Sequence, residues 1–331
     1  MRTLFILCFL ISFQAKCQWE KVQIETKASF RAMQMLDEST VWVSGSKGSI
    51  LKSVDGGKTW LNTCPEEFKS LDFRGISVLN KNEILAMSAG DGSEGKALVI
   101  KTLDGGKTWA EVLRKIEKGV FFDTIKFKND KIGFILGDAI DHQPYVLKTL
   151  DGGKNWFRIE NLPDILVGEA SFAASNSCIS IFKNNVWFNT QNRIFHSKNL
   201  GKSWEVMETP FETAQTRGIF GNFYLNKKEG YIVGGDYQND KTATLQISKT
   251  VNQGQFFDNL PENNLKGLTE CLAKIESNKY ITVGTHGTSI SINNNNQWKK
   301  IDRESFHVVG CKNKKCVAAG GNGQIGLMSF K

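Results

Sequence analysis

The sequence predicts an all-β protein: a seven-bladed β-propeller of four-stranded blades, its ring closed by an N-terminal strand that joins the C-terminal blade. Three observations carry this. A turn of one composition recurs as Ser53-Val-Asp-Gly-Gly-Lys-Thr-Trp60, Thr102-Leu-Asp-Gly-Gly-Lys-Thr-Trp109, Thr149-Leu-Asp-Gly-Gly-Lys-Asn-Trp156 and Ser197-Lys-Asn-Leu-Gly-Lys-Ser-Trp204, with tryptophans 49, 47 and 48 residues apart. Degenerate copies follow at Ser248 to Phe256 and at Asn293 to Trp298, and a period of roughly 45 built from short strands belongs to propellers. Finally, glycine-bearing loops occur seven times, at Gly45, Gly90, Gly137, the Thr190-Gln-Asn192 variant, Gly234, Gly284 and Gly320, whereas the turns number six.

Each repeat supplies four strands. In the first, an apolar run (Ser29 to Leu36) precedes Thr40-Val-Trp-Val-Ser44 and Ser49-Ile-Leu-Lys52, and a fourth strand begins at Trp60. The chain stops after Ile325-Gly-Leu-Met-Ser-Phe-Lys331, where a third strand finishes. The missing outer strand is expected from Gln18-Trp19-Glu20-Lys21-Val22, which resembles Thr59-Trp60-Leu61. Trp19 therefore closes the ring, and closure protects edges that an open array leaves free to aggregate. In the turns, Asp55, Asp104 and Asp151 accept local N–H bonds, the glycines supply positive φ, and Trp60, Trp109, Trp156 and Trp204 bury apolar area. These roles are structural.

The Ser-x-Asp-x-Gly-x-Thr-Trp turns are similar to the Asp-box, or BNR, repeats of sialidases, sortilin-type receptors and xyloglucan-active hydrolases. Val43-Ser-Gly-Ser-Lys-Gly-Ser-Ile-Leu-Lys-Ser-Val-Asp-Gly-Gly-Lys-Thr-Trp60 resembles most the units of the photosystem II stability/assembly factor family. That resemblance covers nearly all of residues 18–331. It implies a propeller and, from the family's photosynthetic members, a role as an assembly chaperone.

The remaining sequence bounds the surroundings of the fold. With 331 residues, 40% of them apolar, 5 prolines and a formal charge of +8, the chain is neither disordered nor collagenous nor a membrane-embedded body. Residues 1–17 read as a signal peptide: Arg2 precedes an apolar stretch too short to span a bilayer, and Ala15-Lys16-Cys17 offers a cleavage site. Lys16 stands where a lipobox needs a small residue, which argues against lipidation of Cys17. A secreted or periplasmic single domain, 18–331, is expected, without stable membrane insertion and as a monomer. Its charge is 40 − 34 = +6, scattered through turns, so no nucleic-acid partner is expected. Cys311 and Cys316 flank a four-residue hairpin loop and are expected to form a disulfide in that compartment. No second Cys or His pair has the spacing of a zinc site, and no metal is expected.

Alternating strand direction puts the inner-strand starts and glycine loops on one face, opposite the box turns. Arg31, Arg74 and Arg217 recur at those starts. Three guanidinium forks facing one funnel suit a carboxylate or an acidic peptide. The alternative is that each arginine pairs with a neighbouring carboxylate, such as Asp123 or Glu169. Loops on the same face carry Asp91, Glu94, Asp138, Asp141, His142, Asp236, Tyr237 and Asp240. A glycosidase needs two carboxylates, or a Tyr–Glu pair, across the bond it cuts, and Asp138, Asp236, Tyr237 and Glu169 are the candidates. Gly321-Asn-Gly-Gln-Ile-Gly326 matches a dinucleotide spacing but is followed by five residues and no helix, so no cofactor is expected. Two functional expectations result: a binding or assembly scaffold that recognises a protein or acidic ligand on the arginine face, and a sialidase-like or xyloglucanase-like hydrolase.

Overall fold

The computed structural model describes residues 18–239, 246–260, 267–292 and 297–330. The leader with Cys17, the loop residues Asp240 and Lys241, and most of the Asn293 to Trp298 turn lie outside the described residues.

Seven antiparallel four-stranded sheets stand around one axis. Blade 1 runs Phe30–Met35, Val41–Gly45, Ser49–Ser53 and Leu61–Asn62 from axis to rim. The inner strands of blades 2 to 7 are Gly75–Val78, Phe122–Phe127, Ile179–Phe182, Arg217–Tyr224, Thr269–Glu276 and Val308–Lys312, and they contact one another in a closed ring. Second strands such as Val41–Gly45 are buried throughout because neighbouring blades cover both faces, so they read as continuous apolar runs; the outer Leu61–Asn62 is exposed. No helix among the described residues is long and apolar enough to cross a membrane.

The ring closes where the repeats require it. Glu20–Gln23 pairs antiparallel with Gln324–Ser329, so the last blade takes its outer strand from the other end of the chain. Trp19 is 4% exposed, donates from Nε1 to Thr288 Oγ1 of blade 6 at 2.7 Å, and meets Phe306 edge-on at 5.2 Å. It joins blade 6 to blade 7 as well as joining the two ends of the chain.

The box turns are local hydrogen-bond devices. Ser53 Oγ donates to Asp55 Oδ1 and accepts from the Gly57 N–H, both at 2.8 Å. Asp55 Oδ1 in turn accepts the N–H groups of Lys58 and Thr59 at 3.0 Å. Asp104 and Asp151 repeat the arrangement, and Asn199 and Asn252 do so without charge. The Thr59 hydroxyl and the turn N–H groups hold the Asp55 carboxyl well below the ordinary carboxylate range, and similar bonds bring Asp151 to about 2. Gly57 sits at φ 94°, and a Cβ there would lie 2.7 Å from Leu327 of the preceding blade. The tryptophans are half-buried rather than enclosed, because each packs at a rim between sheets. A second repeat ties blade to blade: the Nζ groups of Lys52, Lys101 and Lys148 donate to the carbonyls of Gly105, Gly152 and Leu200 in the next blade's turn, at 2.9, 3.0 and 2.7 Å.

Trp19→Ala is expected to cost about 3–5 kcal/mol, the usual cost of emptying a buried tryptophan site, in urea unfolding monitored by circular dichroism. Loss below ~1 kcal/mol would show that the closing strand holds without it.

Candidate functional site

The inner-strand starts and the loops between second and third strands meet at one mouth of the axial channel. A cleft of about 370 Å³ there is lined by Arg31, Arg74, Phe172, Ala173, Ala174, Phe220, Tyr237, Leu268, Glu270, Thr285 and His307. Phe172 stacks on Phe220 at 4.1 Å between ring centres, and Tyr237 stands edge-on to both at 6.2 and 6.3 Å. Beside this apolar wall, the Arg31 and Arg74 side chains are 26% and 34% exposed.

A segment with no counterpart in the repeats builds this mouth. Residues 159–178 connect blades 3 and 4, and their last part lies across the axis as a plug. Ser175 Oγ donates to Glu270 O at 2.8 Å; Asn176 accepts from the Ile125 N–H at 3.0 Å and donates to Ile76 O at 3.1 Å; the Asn222 N–H donates to Ser177 O at 3.0 Å. Arg74 and Arg31 donate to the carbonyls of Ala173 and Ala174 at 3.3 and 3.5 Å. Blades 1, 2, 3, 5 and 6 thus hold one strap. Asn176 takes a left-handed φ of 54°, which Asn tolerates better than most residues. A Cβ at Gly221 would lie 2.2 Å from Ser177 Oγ, so a side chain there would displace the Ser177 hydroxyl from its bond with Ser175 Oγ.

The arginines are consequently not open forks. Arg31 pairs with the buried Glu270 at 3.2 Å, and Arg74 Nε pairs with Asp72 at 2.8 Å. Burial lowers the pKa of Arg31, Glu270 raises it, and the adjacent Arg74 charge lowers it further. Arg217 does not share the cleft: a bridge between Ala214 and Arg217 folds the entering chain over blade 5, where Arg217 pairs with Glu212 at 3.2 Å. The expected funnel of three guanidinium groups is therefore corrected to two, and their acidic partners are Glu270 and Asp72 rather than Asp123 or Glu169.

Of the four catalytic candidates, only Tyr237 lines the cleft. Asp236 accepts from Thr216 Oγ1 at 2.8 Å and from the N–H groups of Gln238 and Asn239; burial raises its pKa, and these bonds outweigh that. Glu169 is likewise raised by burial but held below the carboxylate range by Arg193, Thr190 and the Leu166 N–H. Both anchor loops. Asp138 is different: burial raises its carboxyl to about 6, and its charge acts on Asp123. Asp123 is 1% exposed, its Oδ2 has no hydrogen-bond partner, and burial first and then the Asp138 charge push its pKa up, against Arg74. The cleft lining itself contains one carboxylate, Glu270, already bonded to Arg31 and to His307 Nδ1 at 2.9 Å.

Cys311 and Cys316 face each other across the hairpin as a disulfide, while Cys64, Cys178 and Cys271 are free thiols. Among the described residues no group of His, Cys, Asp and Glu is arranged to hold a metal ion.

Box turns on one face of a seven-sheet ring and a cationic, aromatic mouth on the other define an Asp-box propeller. No curated protein matches the chain. The family described as photosynthesis system II assembly factor YCF48 matches residues 11–117 and 92–315, and the chain belongs to it. Among solved structures it is similar to YCF48 bound to D1 peptide, at 14% identity and a TM-score of 0.69 over 95% of this chain and 97% of that one. It is similar also to YCF48 from Cyanidioschyzon merolae, at 15% identity and a TM-score of 0.67 over 94% and 98% of the two chains. A GH74 enzyme from Niastella koreensis shares the fold at 12% identity and a TM-score of 0.63, over 92% of this chain and 53% of that one.

The raised carboxyls of Asp123 and Asp138 are expected to make stability fall as pH rises. A carboxyl whose pKa is higher folded than unfolded leaves folding unpenalised below about 4, and the penalty grows as pH climbs toward the folded value. Asp123→Asn should therefore raise the melting temperature at pH 7 and change it little at pH 4; an equal shift at both would sink this assignment.

Proposed function

We propose that the chain is an extracytoplasmic assembly or scaffold propeller that grips a partner protein at the plugged mouth. In this reading Arg31 and Arg74 take an acidic side chain or a terminal carboxylate, and Phe172, Phe220 and Tyr237 take an adjacent apolar side chain. The observation that carries it is the juxtaposition in one cleft of two partly exposed guanidinium groups with a stacked aromatic wall. Arg and aromatic residues are the side chains that most often anchor protein interfaces. Family membership and the similar structure of YCF48 bound to D1 peptide support a peptide-binding role. The apolar leader in the sequence and the Cys311–Cys316 disulfide support a compartment outside the cytoplasm.

Hydrolysis is the weaker reading. A glycosidase of the usual kind sets two carboxyl groups about 5–9.5 Å apart on either side of a bound sugar. Here the cleft supplies Glu270 alone, and Asp123 of the nearby pair is buried.

A photo-crosslinking amino acid at Tyr237, in the cleft, should capture a discrete envelope protein in the native host. The same probe at the exposed Phe256, in a box turn, should not. Equal capture at both positions would remove the mouth from consideration. The purified protein should leave sialosides and β-glucans uncleaved, and turnover abolished by Asp138→Asn would instead establish the hydrolase.

A further inference from the structure

Beneath the plug, the channel continues as a separate cavity of about 390 Å³ that reaches toward the box-turn face. Ser175, Asn176 and Ser177 roof it, and the later residues of the inner strands form its walls. Three of those wall residues are lysines: Lys126 from blade 3, Lys274 from blade 6 and Lys312 from blade 7. No aspartate or glutamate lines the cavity.

The three cations are not compensated within the cavity. None of them forms an ion pair or a hydrogen bond with a described residue. Elsewhere on this chain the buried lysines are used: Lys101 pairs with Glu83 at 2.8 Å and bonds Gly152 O, and Lys148 bonds Leu200 O. Lys274 and Lys312 are exposed at the strand ends, and Lys312 also acts on Asp37 outside the cavity. Lys126 stands deeper. Burial lowers its pKa, so holding its charge in the apo protein costs free energy. Ser180, Asn222 and Gln34 line the same space, their side-chain donors bonded to Asn222 O, to Cys178 O and Asn189, and to Val78 O.

A cation lodged in a cavity without an ion-pair partner among the described residues is unfavourable unless something of opposite sign enters, and such local costs concentrate at binding sites. The volume falls in the range of small-molecule sites and is too small for a folded partner. We infer that this lower cavity binds a small multivalent anion bearing phosphate or carboxylate groups. It enters from the box-turn face, meets Lys274 and Lys312 at the rim, and seats one anionic group against Lys126. Because the plug closes the other end, this site is separate from the mouth where partner binding is proposed, and it stands whether or not that reading does.

The test is isothermal titration of the purified, folded protein with inorganic pyrophosphate in one arm and citrate in the other, at fixed ionic strength. The expected result is saturable binding at one site in at least one arm, which also tells phosphate from carboxylate chemistry. Lys126→Met should weaken it at least about tenfold, as expected for a lost charge-assisted hydrogen bond, while Lys126→Arg retains it. Should Lys126→Met fail to fold, the double variant Lys274→Gln with Lys312→Gln should weaken binding several-fold. Lys202→Gln, in a box turn outside the cavity, should leave it unchanged. No saturable binding of either probe at millimolar concentration, or equal affinity of wild type and Lys126→Met, would overturn the proposal.

Discussion

The short ladder between Glu20–Gln23 and Gln324–Ser329 is the constraint on which the rest of the molecule depends. A blade offers its neighbours two apolar faces and cannot bury both unless the ring returns on itself. Here that return is made by four paired residues and one indole, and Trp19 reaches beyond its own sheet to Thr288 of the preceding blade. Closure fixes the number of inner strands at the axis and so the width of the channel. Every residue discussed at the mouth or beneath the plug owes its position to that width.

Two periodic devices make the blades equivalent. The box turn satisfies its own backbone through one Ser or Thr and one Asp or Asn, so it survives loss of charge at Asn199 and Asn252. The lysine three residues before the box residue reaches forward into the next blade's turn and converts a local motif into a lateral one. In blade 4 His196 occupies that place. It stacks on Trp187 at 4.6 Å and bonds Glu205 and Asn185 within its own sheet. The repeat is thus weaker in the second half of the ring, where the box sequences also degenerate.

What could be read from the sequence follows from how far each interaction reaches along the chain. The boxes were readable because Asp55 and its partners lie within four residues, and the ring because Gln18 to Val22 repeats a pattern already seen six times. The mouth was not, because its contacts join Arg31 to Ala174 and Glu270, 143 and 239 positions away. Arginines at equivalent strand starts suggested equivalent roles. Arg217 departs from the set because the chain entering blade 5 bridges back on itself at Ala214, a tertiary detail with no residue signature. Phe172, Phe220, Glu270 and His307 were missed for the same reason. One signal was available: the connection 159–178 is long for a propeller and holds the run of small residues Ala173 to Ser177, the composition expected of a segment threaded through a narrow space.

That segment has a further effect on the molecule. Phe172 to Ala174 form part of one vestibule, and Ser175 to Ser177 form the ceiling of the other. The two ends of the axis therefore share one partition, built from the six residues 172–177. Any displacement of Asn176, which is stitched to Ile76 and Ile125, is felt on both sides at once. A propeller that is usually pictured as a pierced disc is here a disc with a septum.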